Sequence, residues 1–197
     1  MSIIEKILNM AKENHGTITS SMIDAAGISR GNLKYLVDIG RLENTSRGIY
    51  TLPELLEDEL YSLQNRFSKG IYSGETALFL WDLIDRTPMR YSMTFPASYN
   101  VTSAKSENIR CSMLKEPYYS IGITVAVTPG QHSVKCYNAE KTLCDILRPR
   151  ANTDIQVVSE AFKRYARYSK RNIPLLSEYA RLMKVEKRVR AYLEVLL

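Results

Sequence analysis

The segment Thr17–Tyr50, TITSSMIDAAGISRGNLKYLVDIGRLENTSRGIY, sets the architecture of the N-terminal part of the chain. A cluster of Ser and Thr at residues 19–21 opens a short helix, which stops at Gly27 because glycine accepts the left-handed backbone of a tight turn. Beyond this turn, apolar residues recur at i, i+3 and i+4 from Leu33, the spacing of one buried helix face. The segment therefore predicts a helix-turn-helix.

The opposite face of the second helix is small, basic and able to form hydrogen bonds. At about 100° per residue this face carries Gly31, Lys34 and Tyr35, with Arg30 and Asn32 beside it. Side chains of this kind suit the base edges of a DNA major groove. The sequence therefore predicts a recognition helix, with Ser29 as its N-cap and in contact with a phosphate.

A β-hairpin is predicted directly after this helix. Residues 41–45 and 48–51 alternate apolar and polar side chains around a turn, and Arg47 would stand at its tip. A wing of this kind lies along the sugar-phosphate backbone or the minor groove, where a guanidinium is attracted by the negative potential. The alternative is a three-helix packing module that binds no nucleic acid.

Positive charge is concentrated at the end of the chain. The 197 residues carry a formal net charge of +6, and the last 50 hold 12 Lys and Arg against 5 Asp and Glu. A helix over residues 153–168 would be apolar on one side and cationic on the other. This distribution favours a polyanionic partner over a neutral one. The candidate DNA-contacting residues are Thr19, Ser29, Arg30, Gly31, Asn32, Lys34, Tyr35, Arg47, Lys163, Arg164, Arg167 and Arg171.

The remaining chain predicts an α+β fold, with a winged helix-turn-helix domain over residues 1–52 and a second domain over residues 53–197. An acidic helix is expected from about residue 54, and a helix without a polar face is expected over residues 77–84. A small, mainly antiparallel sheet and a closing helical bundle follow. Its strands are expected at residues 91–95, 109–114, 123–127 and 134–137.

The cysteines indicate a reduced protein. Cys111, Cys136 and Cys144 form no CxxC pair and leave an odd thiol, which argues against a disulfide framework and against a zinc ribbon. No signal peptide and no run of about 18 apolar residues is present, so we expect a cytoplasmic protein without a membrane segment.

Motifs for catalysis are absent from the sequence. There is no phosphate-binding glycine loop, zinc-protease motif or nucleophile elbow. Cys144 could pair with His132, and Glu140 with Asp145 could hold a metal, but neither pair has a supporting third group. We therefore expect no enzymatic activity, no metal and no cofactor; a nuclease or nucleotidyltransferase is the enzyme alternative.

Three short motifs resemble the AbiEi family, the antitoxins of bacterial type IV toxin–antitoxin systems that act in abortive infection against phage. They are Gly-Arg-Leu at 40–42, Arg-Gly-Ile-Tyr at 47–50, and Glu-Lys-Thr-Leu at 140–143 followed by Asp145. The third departs from the family at Ala139, where Pro is frequent.

The resemblance implies a transcriptional autorepressor that binds inverted repeats in its own promoter. It also implies a C-terminal domain that counteracts a nucleotidyltransferase-like toxin without forming a stable complex. We expect the protein to be a monomer in solution and to bind double-stranded DNA cooperatively. The alternative is a winged-helix regulator whose C-terminal domain senses a ligand or a protein partner.

Overall fold

The computed structural model describes residues 2–196, and the chain divides into two compact units. The N-terminal unit consists of the residues up to Arg66 together with Val127–Ser133, and the C-terminal unit of Phe67–Ala126 and the residues from Val134 onwards. The sequence predicts a functional boundary after residue 52, and that boundary stays a prediction. The N-terminal packing unit is larger than residues 1–52, because it also contains residues 53–66 and 127–133.

The N-terminal unit is built around a helix-turn-helix and a three-stranded antiparallel sheet of order β1-β3-β2. Its elements are α1 Ile3–Glu13, β1 Thr17–Thr19, α2 Ser20–Ala25, α3 Gly31–Asp38, β2 Glu43–Ser46, β3 Ile49–Thr51 and α4 Glu59–Arg66. The hairpin β2–β3 is the predicted wing. β1 was not predicted, and it pairs with β3 from Thr17 opposite Thr51 to Thr19 opposite Ile49.

Local sequence explains where these elements begin and end. Ser2 and Glu5 form a capping box at the start of α1, since each side chain accepts the other's backbone N–H. Gly27 has φ +68° between α2 and α3, the left-handed conformation expected of the turn. One apolar core joins the helices and the sheet. It contains Ile7, Leu8, Ala11, Ile18, Ile23, Leu33, Leu36 and Leu42.

The C-terminal unit contains a five-stranded sheet of order β6-β5-β4-β8-β7 and a group of helices. Its elements are β4 Ile71–Tyr72, α5 Gly74–Leu80, β5 Ser92–Pro96, α6 Thr102–Ser106, β6 Arg110–Leu114, β7 Ile123–Val127, β8 Ser133–Tyr137, α7 Ala139–Ile146, α8 Ile155–Arg167, α9 Ile173–Leu182 and α10 Glu186–Leu196. The pairing of β4 with β5 is antiparallel, whereas β4–β8 and β5–β6 are parallel. The sheet is thus mixed where the sequence predicted a mainly antiparallel one.

The helices of this unit share a large apolar core. Leu143 of α7, Phe162 of α8 and Leu176 of α9 are each almost completely buried in it. Local sequence also explains two helix starts, because the Asn138 side chain accepts the Lys141 N–H at 2.9 Å as the N-cap of α7 and a proline lies in the first turn of α9. The α+β fold class and the closing helical group are confirmed.

Several predicted helix limits are corrected. Helix α3 begins at Gly31 with Arg30 at its N-cap, one residue beyond the predicted cap at Ser29. Helix α4 begins only at Glu59, and α5 covers Gly74–Leu80 in place of residues 77–84. Helix α8 ends at Arg167 because Tyr168 turns to extended backbone, so Arg171 is not on its face.

Candidate nucleic-acid interface

Helix α3 presents the face that its sequence predicts. Leu33 and Leu36 are completely buried, while Lys34 and Tyr35 are exposed, Tyr35 to 53%. Gly31 is exposed at the start of the helix, where the lack of a side chain opens the surface to a ligand. The exposed face of α3 therefore carries a basic and an aromatic side chain, while its opposite face packs into the apolar core.

Arg30 lies at the N-terminus of α3 and is bound by Asp24 of α2. Its Nε donates to Asp24 Oδ1 at 2.8 Å, and its Nη2 donates to Oδ2. The hydrogen bond from Arg30 and its positive charge hold the pKa of Asp24 below its usual value. These two hydrogen bonds orient the guanidinium. Because both side chains are exposed, the ion pair contributes little to stability.

Two further candidates, Ser29 and Asn32, form hydrogen bonds at the start of α3. Ser29 Oγ accepts the Gly31 N–H at 3.3 Å, and Asn32 Nδ2 donates to the Ser29 carbonyl at 2.9 Å. The amide oxygen of Asn32 is not used in this bond. Both residues shape the entrance of α3, and Ser29 remains exposed.

Thr19 was predicted to contact DNA, but its side chain is buried. It is only 3% exposed, and its Oγ1 accepts the Met22 N–H at 3.2 Å as the N-cap of α2. The hydroxyl is used to satisfy the helix terminus. We therefore leave Thr19 out of the DNA-contacting residues proposed below.

Arg47 is exposed in the turn between β2 and β3, at the predicted tip of the wing. The next residue, Gly48, has φ +76°, and its carbonyl accepts the Ser20 N–H at 2.8 Å. Because Ser20 begins α2, this bond connects the wing turn to the first helix of the helix-turn-helix. A backbone hydrogen bond therefore holds the wing turn against the start of α2.

A buried polar cluster lies in the same unit and was not predicted. Asp58 Oδ2 lies 2.8 Å from His132 Nδ1 and also accepts the Thr128 hydroxyl, while Oδ1 accepts the Tyr61 N–H at 3.2 Å. His132 Nε2 lies 3.1 Å from the Asn14 carbonyl, and the Tyr61 ring stacks on the imidazole at 4.2 Å. The cluster fixes residues 127–133 to the ends of α1 and α4.

The pKa of Asp58 reflects this environment. Burial raises the pKa of the carboxyl, but the hydrogen bonds from His132, Thr128 and the Tyr61 N–H bring it below its usual value. No local pattern predicts this cluster, because its members lie far apart in the chain and carry no motif.

The basic residues near the C-terminus do not form the single cationic face that was predicted. Arg164 pairs with Asp85 and with Glu160, the latter at 3.0 Å, so its charge is compensated. Lys163 and Arg167 are exposed and make no ion pair within residues 2–196. Arg171 lies beyond the helix, and its Nη1 donates to the Tyr168 carbonyl at 3.4 Å.

The Glu-Lys-Thr-Leu pattern at 140–143 is buried in the C-terminal unit. Lys141 is completely buried, and its Nζ donates to Asp145 Oδ2 at 2.5 Å and lies 4.1 Å from the centre of the Tyr137 ring. Glu140 Oε1 accepts the Tyr165 hydroxyl at 2.8 Å and the Asn172 N–H at 3.1 Å. These contacts give the pattern a structural role between α7, α8 and α9.

The pairs considered for catalysis are engaged elsewhere. His132 contacts Asp58 and the Asn14 carbonyl, whereas the buried Cys144 thiol donates to the Leu176 carbonyl at 3.8 Å. Burial raises the pKa of the Cys144 thiol to about 12. No group of three or more His, Cys, Asp or Glu within residues 2–196 is placed to hold a metal ion. Over the same residues, no helix has the length and apolar character that crossing a membrane requires.

The fold and the exposed second helix define the class of the N-terminal module as a winged helix-turn-helix, in which the wing β2–β3 follows α3 in the chain. The sequence of the same module is similar to a known family. Residues 5–53 match the sequence model of a family described as transcriptional regulator, AbiEi antitoxin. The resemblance is thus confirmed over the winged part of the chain, and the matched family is one of transcriptional regulators and antitoxins.

Among the solved structures that the chain resembles in fold is the RV2827C protein from Mycobacterium tuberculosis. The superposition has a TM-score of 0.54 and covers 98% of this chain and 82% of that chain, at 14% sequence identity. At this identity the likeness concerns the fold alone. No curated protein matches the chain.

Proposed function

We propose that the protein is a transcriptional autorepressor and a type IV antitoxin of the cytoplasm, and that it binds inverted repeats in its own promoter. The observation that carries the proposal is the exposed face of α3, with Arg30, Lys34 and Tyr35, next to a wing with Arg47 at its tip. This face lies within the segment that matches the family of AbiEi regulators.

The proposed contacts follow from the chemistry of each group. Arg30, Asn32 and Lys34 face base edges in the major groove, where guanidinium, amide and ammonium groups find their acceptors. Tyr35 contacts a thymine methyl or the backbone, and Ser29 with the exposed Gly31 lies against a phosphate. Arg47 follows the sugar-phosphate backbone or the minor groove.

The antitoxin activity is assigned to residues 53–197. We propose that this domain counteracts a nucleotidyltransferase-like toxin without a stable complex, as the family resemblance implies. The protein would be a monomer in solution, and two molecules would bind an inverted repeat cooperatively because the two-fold symmetry of the DNA positions them side by side.

Two activities measured in the same cells test this proposal. The double variant Arg30→Ala/Lys34→Ala should lose repression of a promoter reporter and should still rescue growth when the product of the neighbouring open reading frame is expressed. The matched control is Lys6→Ala/Lys12→Ala, which removes two positive charges from α1 and leaves α3 intact.

Each half of the proposal can fail separately. Repression that persists in the α3 variant would contradict the assignment of DNA binding to α3. Failure of the parent protein to rescue growth would contradict the antitoxin assignment and favour a regulator that senses a ligand or partner.

A further inference from the structure

The C-terminal unit contains a cavity of about 270 Å³ beside the β5–β6 pair. It is bounded by the start of α5, by these two strands and by the segment that follows α7. Its lining is mostly polar and includes three arginines, two carboxylates and several hydroxyl groups. The volume lies just below the range of roughly 300–1,000 Å³ usual for small-molecule sites.

The parallel register of β5 and β6 explains why hydroxyl groups meet here. Ser92 lies opposite Arg110 and Thr94 opposite Ser112, and alternate residues of paired strands project from one face of the sheet. Thr94 is 3% exposed, and its hydroxyl donates to Ser73 Oγ at 2.9 Å. The floor of the cavity is therefore polar and held by internal hydrogen bonds.

Three arginines, Arg110, Arg148 and Arg150, line this cavity and have N–H groups that form no hydrogen bond to a carboxylate among the described residues. Arg110 Nη1 is 3.9 Å from Glu75 Oε1 and Arg148 Nη1 is 3.7 Å from Asp145 Oδ1, both longer than a hydrogen bond. Arg150 is exposed and makes no ion pair with any residue that the structure describes. Their guanidinium N–H groups are thus available to an anion, and a planar fork of donors matches phosphate oxygens.

The carboxylates of the wall restrict the class of ligand. Glu75 and Asp145 line the same cavity, and a carboxylate accepts hydrogen bonds from hydroxyls but repels a polyanion. A DNA backbone would bring several phosphates against these charges. A single phosphate attached to a hydroxylated sugar satisfies both sets of groups.

We propose that this cavity binds a small phosphomonoester that carries sugar hydroxyls, such as a sugar phosphate or a nucleoside monophosphate. The arginines bind the phosphate, and Glu75 with the hydroxyls of Ser92 and Ser112 binds the sugar. The site is separate from the DNA-contacting residues proposed above, and it does not depend on the antitoxin assignment.

Isothermal titration of the full-length chain at low salt tests the proposal with defined probes. Ribose 5-phosphate and adenosine monophosphate distinguish a sugar phosphate from a nucleotide, and ribose and inorganic phosphate test the two halves of the ligand. Saturable binding of at least one phosphomonoester, tighter than that of either half, is the expected result.

Variants connect such binding to the cavity. Arg110→Gln/Arg150→Gln removes two exposed guanidinium groups and should weaken binding by at least about tenfold, because hydrogen bonds to charged groups are the strong ones. Arg86→Gln is the matched control, since Arg86 lies 3.9 Å from the same Glu75 carboxylate but is not part of the lining. It should bind like the parent protein.

Three results would overturn the proposal. They are no saturable heat with either phosphomonoester, equal binding by the double variant and the parent, and an equal loss in the Arg86 control. Competition for the cavity by a DNA oligonucleotide, without binding of either phosphomonoester, would assign the arginines to a nucleic acid instead.

Discussion

Asp24 holds the guanidinium of Arg30 along one edge only. The carboxylate occupies Nε and one N–H of Nη2, which leaves Nη1 and the second N–H of Nη2 without a partner in α2. The unoccupied edge has the two parallel donors that match O6 and N7 of guanine. Asp24 therefore presents Arg30 in the form needed for a bidentate base contact.

The first prediction concerns this supporting role. Asp24→Asn should lower the preference for operator over random DNA, because a freely rotating guanidinium loses the geometry that makes the contact specific. Binding to random DNA should become slightly tighter, since a negative charge is removed. Competition shift assays with operator and scrambled duplexes measure both effects.

Asp38→Asn is the matched control for this experiment. It removes the same charge from the exposed face of α3 without contacting Arg30. Equal specificity in the Asp24 and Asp38 variants would show that only the charge matters and that the pairing does not.

The second prediction is that Arg30→Ala/Lys34→Ala abolishes selectivity for the promoter. A good bidentate contact is worth about 1–3 kcal/mol of discrimination, so removal of both side chains should leave mainly the non-specific component. The ratio of operator to random affinity, measured at one fixed salt concentration, is the relevant quantity. An unchanged ratio would count against α3 as the recognition helix.

The third prediction concerns Lys163, Arg167 and Arg171, which we propose as additional phosphate contacts. Changing all three to Glu should flatten the dependence of log affinity on log salt by about 2 to 3 units, because each neutralised phosphate contributes about 0.9. Arg164 is left unchanged, since Asp85 and Glu160 already compensate its charge. An identical salt dependence in parent and variant would assign these residues to a solvated surface.

The fourth prediction concerns acid stability and the cluster around Asp58. Because the pKa of Asp58 is lower in the folded protein, its ionised form stabilises the fold above the unfolded pKa of about 3.9, and this contribution is lost as the pH falls through the folded value. Asp58→Asn should cost roughly 1–3 kcal/mol at pH 7, and the cost should shrink progressively as the pH falls below about 3.9. Urea unfolding followed by circular dichroism at several pH values measures the difference.

Glu57→Gln provides the control for that series, because Glu57 is an exposed neighbour of Asp58. It should unfold like the parent at every pH. A constant difference between the Asp58 variant and the parent across the pH range would exclude the linkage.

The fifth prediction separates structure from antitoxicity in the Glu-Lys-Thr-Leu pattern. Lys141→Met leaves the Asp145 carboxylate without its buried partner and should destabilise the protein by about 3–5 kcal/mol, while Lys141→Met/Asp145→Leu should recover much of the loss. If the pattern is structural, a folded double variant should rescue growth in the proposed antitoxin assay as well as the parent protein does. Thermal unfolding measures the stability of the two variants, and rescue of growth measures their activity. A stable double variant that fails to rescue growth would show that the pattern acts beyond the fold.

The sequence was most informative where local chemistry controls the backbone. Gly27, the apolar spacing from Leu33, and the turn at Arg47 and Gly48 each specify their own conformation, and the helix-turn-helix and wing were predicted from them. The face of α3 followed from the helical period alone. The matched family covers this same part of the chain.

Elements that depend on distant partners were missed. β4 has two residues and is a strand only because Tyr72 pairs with Met93 and Cys136, which no local pattern reveals. The sequence predicted Arg164 as part of a cationic face, but in the fold its guanidinium forms an ion pair with Asp85. In both cases a long-range contact, absent from the local sequence, determines the outcome.

The chain passes between its two units three times, after residues 66, 126 and 133, and this limits how such a protein can evolve. Because His132 lies in Val127–Ser133 and contacts Asn14 and Asp58, the N-terminal unit includes a piece of chain that is encoded far from the rest of it. A recombination event at a single point near residue 52 would exchange the helix-turn-helix and leave this piece behind. New DNA specificities should therefore arise by substitutions within α3 more readily than by shuffling of whole modules.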